Sequence, residues 1–387
     1  MTTTTTLPFL LWICLAALGQ SVQSSPDSLE KAFATAVQPE WSGESRRYDF
    51  WIGEWDSYWS GPDTADYFSE NVGTRTRQWV FPVLDGKALV ELAVDHEDFS
   101  PQPGQETYGF SVRYYSESRG KWVMAQDWPS PNATGLIVDQ LVGNFNHGRI
   151  ELFSSFMAPD SAFTTRRYIF SDIAPDRFRW ERARTVDEGR TWRPIGYLRG
   201  TRLKEWPELG DAGTAMPNNN ENAHCNAAEF AQLHPLEGTW TGRRIREGAP
   251  QTAVQFTAAR FNGGCAVMGM LNEVDGDLKV FRAWTYNQQV DVWSEYRLDN
   301  RHGTDHVYSF GGADDGPLVL EENPAVAIES EFSIRPPIGP SVPRRRTSWT
   351  GIGSDRLELV AEERGDGQAE WHVTERIELE RSTPGGR

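Results

Sequence analysis

The sequence predicts an all-β protein made of two antiparallel up-and-down β-barrels in tandem, with short helices at their entrances. Strand-like runs rich in Val, Ile, Thr, Tyr and Trp alternate with turn signals such as Leu84-Asp85-Gly86-Lys87 and Asn146-His147-Gly148. Helical periodicity is confined to short segments. The same order of motifs occurs twice along the chain, which indicates two copies of one domain.

The N-terminal segment, residues 1–24, is predicted to be a signal peptide. An apolar run from Leu7 to Gly19 is followed by a small-residue cleavage signal at Val22-Gln23-Ser24. The run is too short to span a bilayer securely. We therefore expect an exported protein, periplasmic or extracellular. Residues 25–46 form a lead-in with a predicted short helix over Ser28 to Val37.

The two copies share recognisable anchor residues. Gly53-Glu54-Trp55 near the start of the first copy is matched by Gly238-Thr239-Trp240 in the second. In each copy a Tyr precedes a Trp by seven residues, in the pairs Tyr115 with Trp122 and Tyr286 with Trp293. These anchors define barrel 1 (47–205), a linker (206–228), barrel 2 (229–381) and a tail (382–387).

Length and charge limit the function. A chain of 387 residues favours two domains. Its net charge of −17 repels nucleic-acid phosphates and anionic lipids, so we expect no nucleic-acid partner and no stable membrane insertion. Sixteen tryptophans need apolar surroundings, so part of this set must line cores or a cavity.

The Gly-x-Trp of the first strand, together with an Arg on the last strand, resembles the lipocalin and wider calycin barrels. In those barrels the Trp closes one end and the Arg lies across its face. The resemblance implies structural pairs of Trp55 with Arg199 or Arg202, and of Trp240 with Arg376.

A more specific resemblance covers most of residues 47–203. These residues look like a family of bacterial lipocalin-like domains, domain of unknown function 1579, in four stretches: YDFWIGEWDSYW, LDGKALVE, GKWVMAQDW and RRYIFSDIAPDRFRWERARTVDEGRTWRPIGYLRGTR. The second copy matches only in outline. The resemblance implies the fold and no particular function.

Barrel 1 contains the candidate ligand-binding residues. One face of the strand from Lys121 to Trp128 carries Trp122, Met124, Gln126 and Trp128, and this apolar face is expected to point inward with Gln126 as its polar group. Trp51 and Trp59 lie an even number of residues from Trp55 and join this set, unless the strand begins near Gly53. The alternative is that these side chains simply fill a closed barrel.

In barrel 2 the strand of residues 293–299 has two possible registers. In the register of Trp122, Glu295 and Arg297 face inward and would form an acid–base site with His306 and Tyr308 of the next strand. In the other register the inward residues are Ser294, Tyr296 and Leu298, and the charged residues lie in solvent. We favour this second register, since a slip of one residue exchanges the two faces.

We expect no metal and no cofactor, because no Cys/His cluster and no nucleotide fingerprint appears. Cys225 and Cys265 either form a disulfide in an oxidising compartment or are two buried thiols.

Three function classes remain open. The sequence favours a secreted binding protein for a small, largely hydrophobic molecule, held in a barrel or between the barrels. The alternatives are an isomerase, cyclase or hydratase that acts on a hydrophobic metabolite, and a structural or interaction module with filled barrels.

Overall fold

In the computed structural model of the protein, the described residues are 33–61, 74–95, 108–127, 141–157, 163–204, 225, 227–261, 264–288, 291–313, 316–322, 344–365 and 368–382. The predicted signal peptide, Trp128, part of the predicted lead-in helix, most of the linker and the tail beyond Ser382 lie outside these residues.

Barrel 1 is closed by ten antiparallel strands within the described residues. Each strand pairs with its neighbours in the chain, and β1 also pairs with β10, so the predicted up-and-down order is confirmed. The strands are β1 (Gly53–Ser60), β2 (Thr74–Val83), β3 (Ala88–Asp95), β4 (Tyr108–Ser116), β5 (Lys121–Asp127), β6 (Leu141–Asn146), β7 (Arg149–Met157), β8 (Phe163–Ala174), β9 (Arg177–Thr185) and β10 (Arg193–Lys204).

Barrel 2 repeats this arrangement, with ten strands in the described part of the chain. Pairing of β11 with β20 closes it. The strands are β11 (Gly238–Arg246), β12 (Thr252–Phe261), β13 (Ala266–Glu273), β14 (Lys279–Asn287), β15 (Val292–Asp299), β16 (Val307–Gly312), β17 (Leu318–Glu322), β18 (Arg344–Thr350), β19 (Arg356–Arg364) and β20 (His372–Arg381).

Short 3-10 helices lie at the entrance of each barrel, but the one predicted before barrel 1 is displaced: residues 34–37, the described end of the predicted helix Ser28 to Val37, are not helical. Gly43–Arg46 and Asp49–Trp51 precede β1, and Ala228–Leu236 precedes β11. The first strand of each barrel then begins at a glycine with positive φ, 138° at Gly53 and 120° at Gly238. Because side chains rarely adopt this conformation, it explains the glycine of both Gly-x-Trp motifs.

The described residues form three apolar cores. One fills barrel 1 around Trp55 and Trp122, and a second fills barrel 2 around Trp240 and Trp284. The third lies between the barrels, where the outer faces of strands β2 to β5 pack against those of strands β12 to β16. Strands of this region are therefore buried on both faces.

Polar contacts surround the core between the barrels. The Lys87 ammonium donates hydrogen bonds to the carbonyl oxygens of Arg301 (2.6 Å) and Thr304 (2.7 Å). Lys279 forms an ion pair with Asp85. Both contacts join one barrel to the other, so the two barrels pack directly on each other.

A disulfide joins Cys225 to Cys265, 40 residues further along the chain. It links the segment before the 3-10 helix Ala228–Leu236 to the residue preceding β13. Of the two alternatives for these cysteines, the structure contains the disulfide.

Candidate ligand-binding site in barrel 1

One end of barrel 1 is closed by Trp55 and Arg202. These residues are direct partners in the pairing of β1 with β10, and the guanidinium lies 4.2 Å from the centroid of the Trp55 ring. The Trp55 indole N–H donates to the Trp51 carbonyl at 2.8 Å. Arg202 donates to the carbonyls of Phe50 and Ile52, so it ties the 3-10 segment to the last strand.

Barrel 2 is closed in the same way, but by a different arginine from the one predicted. Arg381 is the strand partner of Trp240, and its guanidinium lies 4.0 Å from the ring centroid. The prediction of Arg376 is wrong, because Arg376 lies opposite Ile245, five residues along β20, and forms an ion pair with Glu358.

The alternative for barrel 1, Arg199, is also wrong as a partner of Trp55. Arg199 lies opposite Tyr58. Tyr58 is an odd number of residues from Trp55 and therefore points to the other face of β1.

Trp51 belongs to the 3-10 helix Asp49–Trp51 and not to β1. It is 1% exposed and packs in the interior of barrel 1. The guanidinium of Arg113, from β4, lies 3.8 Å from the centroid of its ring. A cation held over an indole in a buried place is a stabilising contact.

A buried polar group crosses β3 and β4 inside barrel 1. Ser111 Oγ donates to Glu91 at 2.6 Å, and Arg113 donates to the same carboxylate oxygen at 3.4 Å. Burial raises the pKa of Glu91, and the nearby Arg113 guanidinium opposes that shift. Burial lowers the pKa of Arg113, which Glu91 opposes. Buried charges of this kind require partners, and here each has the other.

Strand β5 directs the predicted residues Trp122 and Met124 into barrel 1, where each is 2% exposed. Gln126, two residues further, donates to the Tyr168 hydroxyl at 3.0 Å. Trp128, the last residue of the predicted face, lies outside the described residues.

Four hydrogen-bond donors inside barrel 1 are buried without a partner among the described residues. They are the Tyr48 hydroxyl, the indole N–H groups of Trp51 and Trp122, and the Nε–H of Arg113. The ring of Tyr48 lies 4.6 Å from that of Trp122 and 6.3 Å from that of Trp51. Burial raises the pKa of Tyr48, so its hydroxyl keeps its proton at neutral pH.

Trp59 lies near the opposite end of barrel 1, close to the end of β1. Its ring is 5.4 Å from that of Trp180 and 5.1 Å from the Arg182 guanidinium. A Cβ at Gly196 would approach the Trp59 ring to 2.2 Å, so glycine is required for the ring to lie there. This end therefore combines aromatic rings with positive charge.

In barrel 2, the register that we favoured for residues 293–299 is wrong. Glu295 faces the barrel interior, is 0% exposed and forms an ion pair with Arg282 at 2.5 Å. Arg297 pairs with Glu322 at 2.7 Å. Tyr296 and Leu298 instead pack in the core between the barrels.

The predicted acid–base site is not assembled either. His306 and Tyr308 lie on the outer side of barrel 2, between the barrels, whereas Glu295 and Arg297 face the interior. His306 Nδ1 is 2.7 Å from the Tyr114 hydroxyl of barrel 1. Burial lowers the pKa of His306 to about 3, so the ring is neutral over the physiological pH range.

Sequence reasoning missed Tyr48, Glu91 and Arg113. A signal for the last two exists: Glu91 interrupts the apolar run of β3, and Arg113 lies between Val112 and Tyr114 in β4. A charged residue inside an apolar strand is a candidate for a buried, paired position.

Within the described residues, no three His, Cys, Asp or Glu side chains are grouped so that they could hold a metal ion. No helix in that part of the chain has the length and apolar character to cross a membrane.

Comparisons with known proteins find only weak similarity. No protein-family profile matches the chain, and no curated protein sequence matches it significantly. A solved protein of unknown function from Nostoc punctiforme, in the domain-of-unknown-function 3598 family, is 12% identical; the match covers 88% of this chain and 100% of that chain, with a TM-score of 0.21.

Two solved structures of transferrin-binding protein B are each 8% identical to this chain. For the protein of serogroup B Neisseria meningitidis the match covers 80% of this chain and 66% of that chain, with a TM-score of 0.17. For a double mutant of the Haemophilus parasuis protein the match covers 86% of this chain and 59% of that chain, with a TM-score of 0.15. Similarity at these TM-scores supports no statement about the function of this chain.

Proposed function

We propose that the protein is an exported binding protein for a small, largely hydrophobic molecule, and that barrel 1 holds this molecule. The observation that carries the proposal is the group of four unpaired donors on Tyr48, Trp51, Trp122 and Arg113. Buried polar groups are nearly always hydrogen-bonded, so such a group calls for acceptor atoms beyond the described residues, and a bound molecule would supply them.

The chemistry of the surrounding residues defines the molecule. Aromatic and apolar side chains make up most of the interior, with a few polar groups that are bonded to one another, namely Glu91 with Ser111 and Arg113, Ser57 with Gln78, and Gln126 with Tyr168. A ligand with an apolar body and one or two hydrogen-bond acceptors matches this lining.

In barrel 2, aromatic rings occupy the place that the Glu91 side chain has in barrel 1. Gly269 is the residue of barrel 2 that corresponds to Glu91. Leu89 pairs with Arg113 and Val267 pairs with the corresponding Trp284, and Glu91 and Gly269 each lie two residues further along the strand. A Cβ at Gly269 would lie 2.5 Å from the Phe256 ring and 3.1 Å from the Trp284 ring. Aromatic rings therefore occupy the space that the Glu91 side chain uses in barrel 1, which favours barrel 1 as the binding barrel.

Charge balance separates the barrels as well. The inward arginines of barrel 2 are matched by carboxylates, in the pairs Arg282 with Glu295, Arg297 with Glu322, and Arg244 with Glu273 and Glu375. The charges of this interior are paired with one another, although the indole N–H groups of Trp284 and Trp349 are also buried without a partner among the described residues.

The proposal also includes export and a relationship to a known family of barrels. The Cys225–Cys265 disulfide supports an oxidising compartment, in agreement with the proposed signal peptide. The Trp–Arg pairs at the closed ends support a relationship to the lipocalin and wider calycin barrels, and the proposed relationship to the lipocalin-like family of unknown function 1579 rests on the sequence motifs of residues 47–203.

Native mass spectrometry of the exported, gently purified protein tests the proposal, followed by denaturation to release any passenger. We expect a small apolar molecule at near-stoichiometric amounts. A protein that is empty and also takes up none of a panel of hydrophobic probes would refute it.

A matched pair of variants places the molecule in barrel 1. Trp122→Phe removes one unpaired N–H and keeps an aromatic ring, so affinity for the released molecule should fall about fivefold, as for the loss of one hydrogen bond. Trp293→Phe changes the equivalent position of barrel 2, where the indole N–H already donates to Gln232. It should leave affinity unchanged, and an equal loss in both variants would contradict the assignment to barrel 1.

A further inference from the structure

Three arginines form a row across neighbouring strands at the end of barrel 1 that lies away from Trp55. Arg184 of β9 is the direct partner of Arg166 of β8 and of Arg193 of β10. Directly opposed residues of antiparallel strands point to the same face. That face is the interior one, because Arg182, two residues from Arg184, is the direct partner of the buried Tyr168.

Like charges directly opposite each other destabilise a sheet, and Arg184 lies opposite Arg166 on one side and Arg193 on the other. Arg184 and Arg193 are exposed and form no ion pair with any described residue. The wider segment has the same sign: residues 163–204 contain ten arginines and one lysine against five acidic residues, in a chain of net charge −17.

A second, independent observation points to a ligand at this end. The Nε–H of Arg182 is buried and has no hydrogen-bond partner among the described residues, although its guanidinium lies over the Trp59 ring. Trp180 lies beside Trp59. The row therefore stands next to an aromatic surface and to an unpaired buried donor.

We infer that this end of barrel 1 holds the anionic group of the ligand, a carboxylate, sulfate or phosphate, while its apolar part lies among the aromatic residues. The inference rests on the proposed binding function and adds a charge to the ligand. Guanidinium groups bind such oxyanions with two parallel hydrogen bonds, and the pairing offsets the repulsion among the arginines.

Two fluorescent probes with the same aromatic body test the charge separately from binding. 8-Anilinonaphthalene-1-sulfonate carries an anionic group, and N-phenyl-1-naphthylamine lacks it. The full-length mature protein should bind the anionic probe about tenfold more tightly, and added salt should reduce this preference.

Variants then locate the effect. Arg184→Gln with Arg193→Gln should weaken binding of the anionic probe about tenfold and leave the neutral probe unchanged. The control, Arg177→Gln with Arg179→Gln, removes the same charge from the exposed Arg177 and the half-buried Arg179 of β9, which pair with Asp172. It should change neither probe, and Arg184→Lys with Arg193→Lys should keep most of the preference.

The outcomes are distinguishable. Equal binding of both probes, unaffected by the arginine row, would overturn this inference and leave the proposed function intact. An equal loss in the control would assign the effect to net charge alone and would also overturn it. Binding of neither probe by protein that native mass spectrometry has shown to be empty would overturn the inference together with the proposed function. Circular dichroism verifies the fold of each variant, and the salt dependence of the wild type decides the question if a variant is unfolded.

Discussion

His306 should make the contact between the barrels sensitive to acid. It is 1% exposed, and its Nδ1 lies 2.7 Å from the Tyr114 hydroxyl. The same Tyr114 oxygen accepts the backbone N–H of His306 at 3.1 Å. The hydroxyl has two acceptors for its proton, Nδ1 of a neutral ring at 2.7 Å and Asp305 Oδ1 at 3.3 Å, and the shorter distance favours Nδ1. A second proton on the ring would remove this hydrogen bond and place a charge in an apolar interface.

The sign and size of the effect follow from the pKa. Burial lowers the pKa of His306 from 6.5 to about 3, so the unfolded chain binds the proton more readily than the folded one. The stabilisation is complete above pH 6.5 and is lost as the pH falls from 6.5 towards 3. At pH 5 the loss amounts to about 2 kcal/mol, and to about 5 kcal/mol below pH 3.

Urea unfolding at pH 7.5 and pH 5.0 measures this loss, with tryptophan fluorescence as the signal. His306→Gln cannot gain the charge, so its free energy of unfolding should fall between the two pH values by about 2 kcal/mol less than that of the wild type. Other groups cancel in this comparison, including Asp49, whose pKa burial raises to about 6 and whose contribution has the opposite sign.

The control is His147→Gln, at an exposed hairpin position. It should show the same pH dependence as the wild type. A difference between wild type and His306→Gln smaller than about 0.5 kcal/mol would refute the assignment of a neutral, buried His306.

Two further predictions concern the ends of the barrels and the disulfide. Arg381→Ala removes a cation over Trp240 and two hydrogen bonds to carbonyls, so it should lower the free energy of urea unfolding by about 2–4 kcal/mol. Arg376→Ala should lower it by less than about 1 kcal/mol, because its ion pair is partly exposed; equal losses would contradict the strand register. Joint replacement of Cys225 and Cys265 by Ala should lower the free energy of unfolding by about 4 kcal/mol for a loop of 40 residues. A reductant should bring the wild type to the same value, and no effect of the reductant would exclude a stabilising disulfide.

The fold was predictable because its signals are local. Turn residues separate the strands, and the Gly-x-Trp motif marks the start of each barrel through a conformation that favours glycine. The arginine that closes barrel 2 was missed for a non-local reason. Arg381 and Arg376 lie on the same strand, and only the register against β11 selects Arg381.

The register of residues 293–299 was not predictable from alternation, because β15 is buried on both faces. Its inward residues Trp293 and Glu295 line barrel 2, and its outward residues Tyr296 and Leu298 lie in the core between the barrels. A rule that assigns the apolar face to the interior fails when both faces are covered. The register could therefore be predicted only with knowledge of how one barrel packs on the other, which the sequence of a single strand does not contain.

The two copies keep the residues that close each barrel and change those that line it. Trp55 with Arg202 corresponds to Trp240 with Arg381, at nearly the same distance from ring to guanidinium. By contrast, Arg113 of the first copy corresponds to Trp284 of the second. Arg113 lies two residues before Tyr115, which pairs with Trp122, and Trp284 lies two residues before Tyr286, which pairs with Trp293. If both barrel interiors served only the stability of the fold, we would expect their inward-facing residues to be similar in charge and hydrogen bonding. Unpaired indole N–H groups occur in both barrels, on Trp51 and Trp122 in barrel 1 and on Trp284 and Trp349 in barrel 2. Barrel 1 differs by the further unpaired donors of Tyr48 and Arg113, and this difference supports the proposal that barrel 1 is the binding barrel.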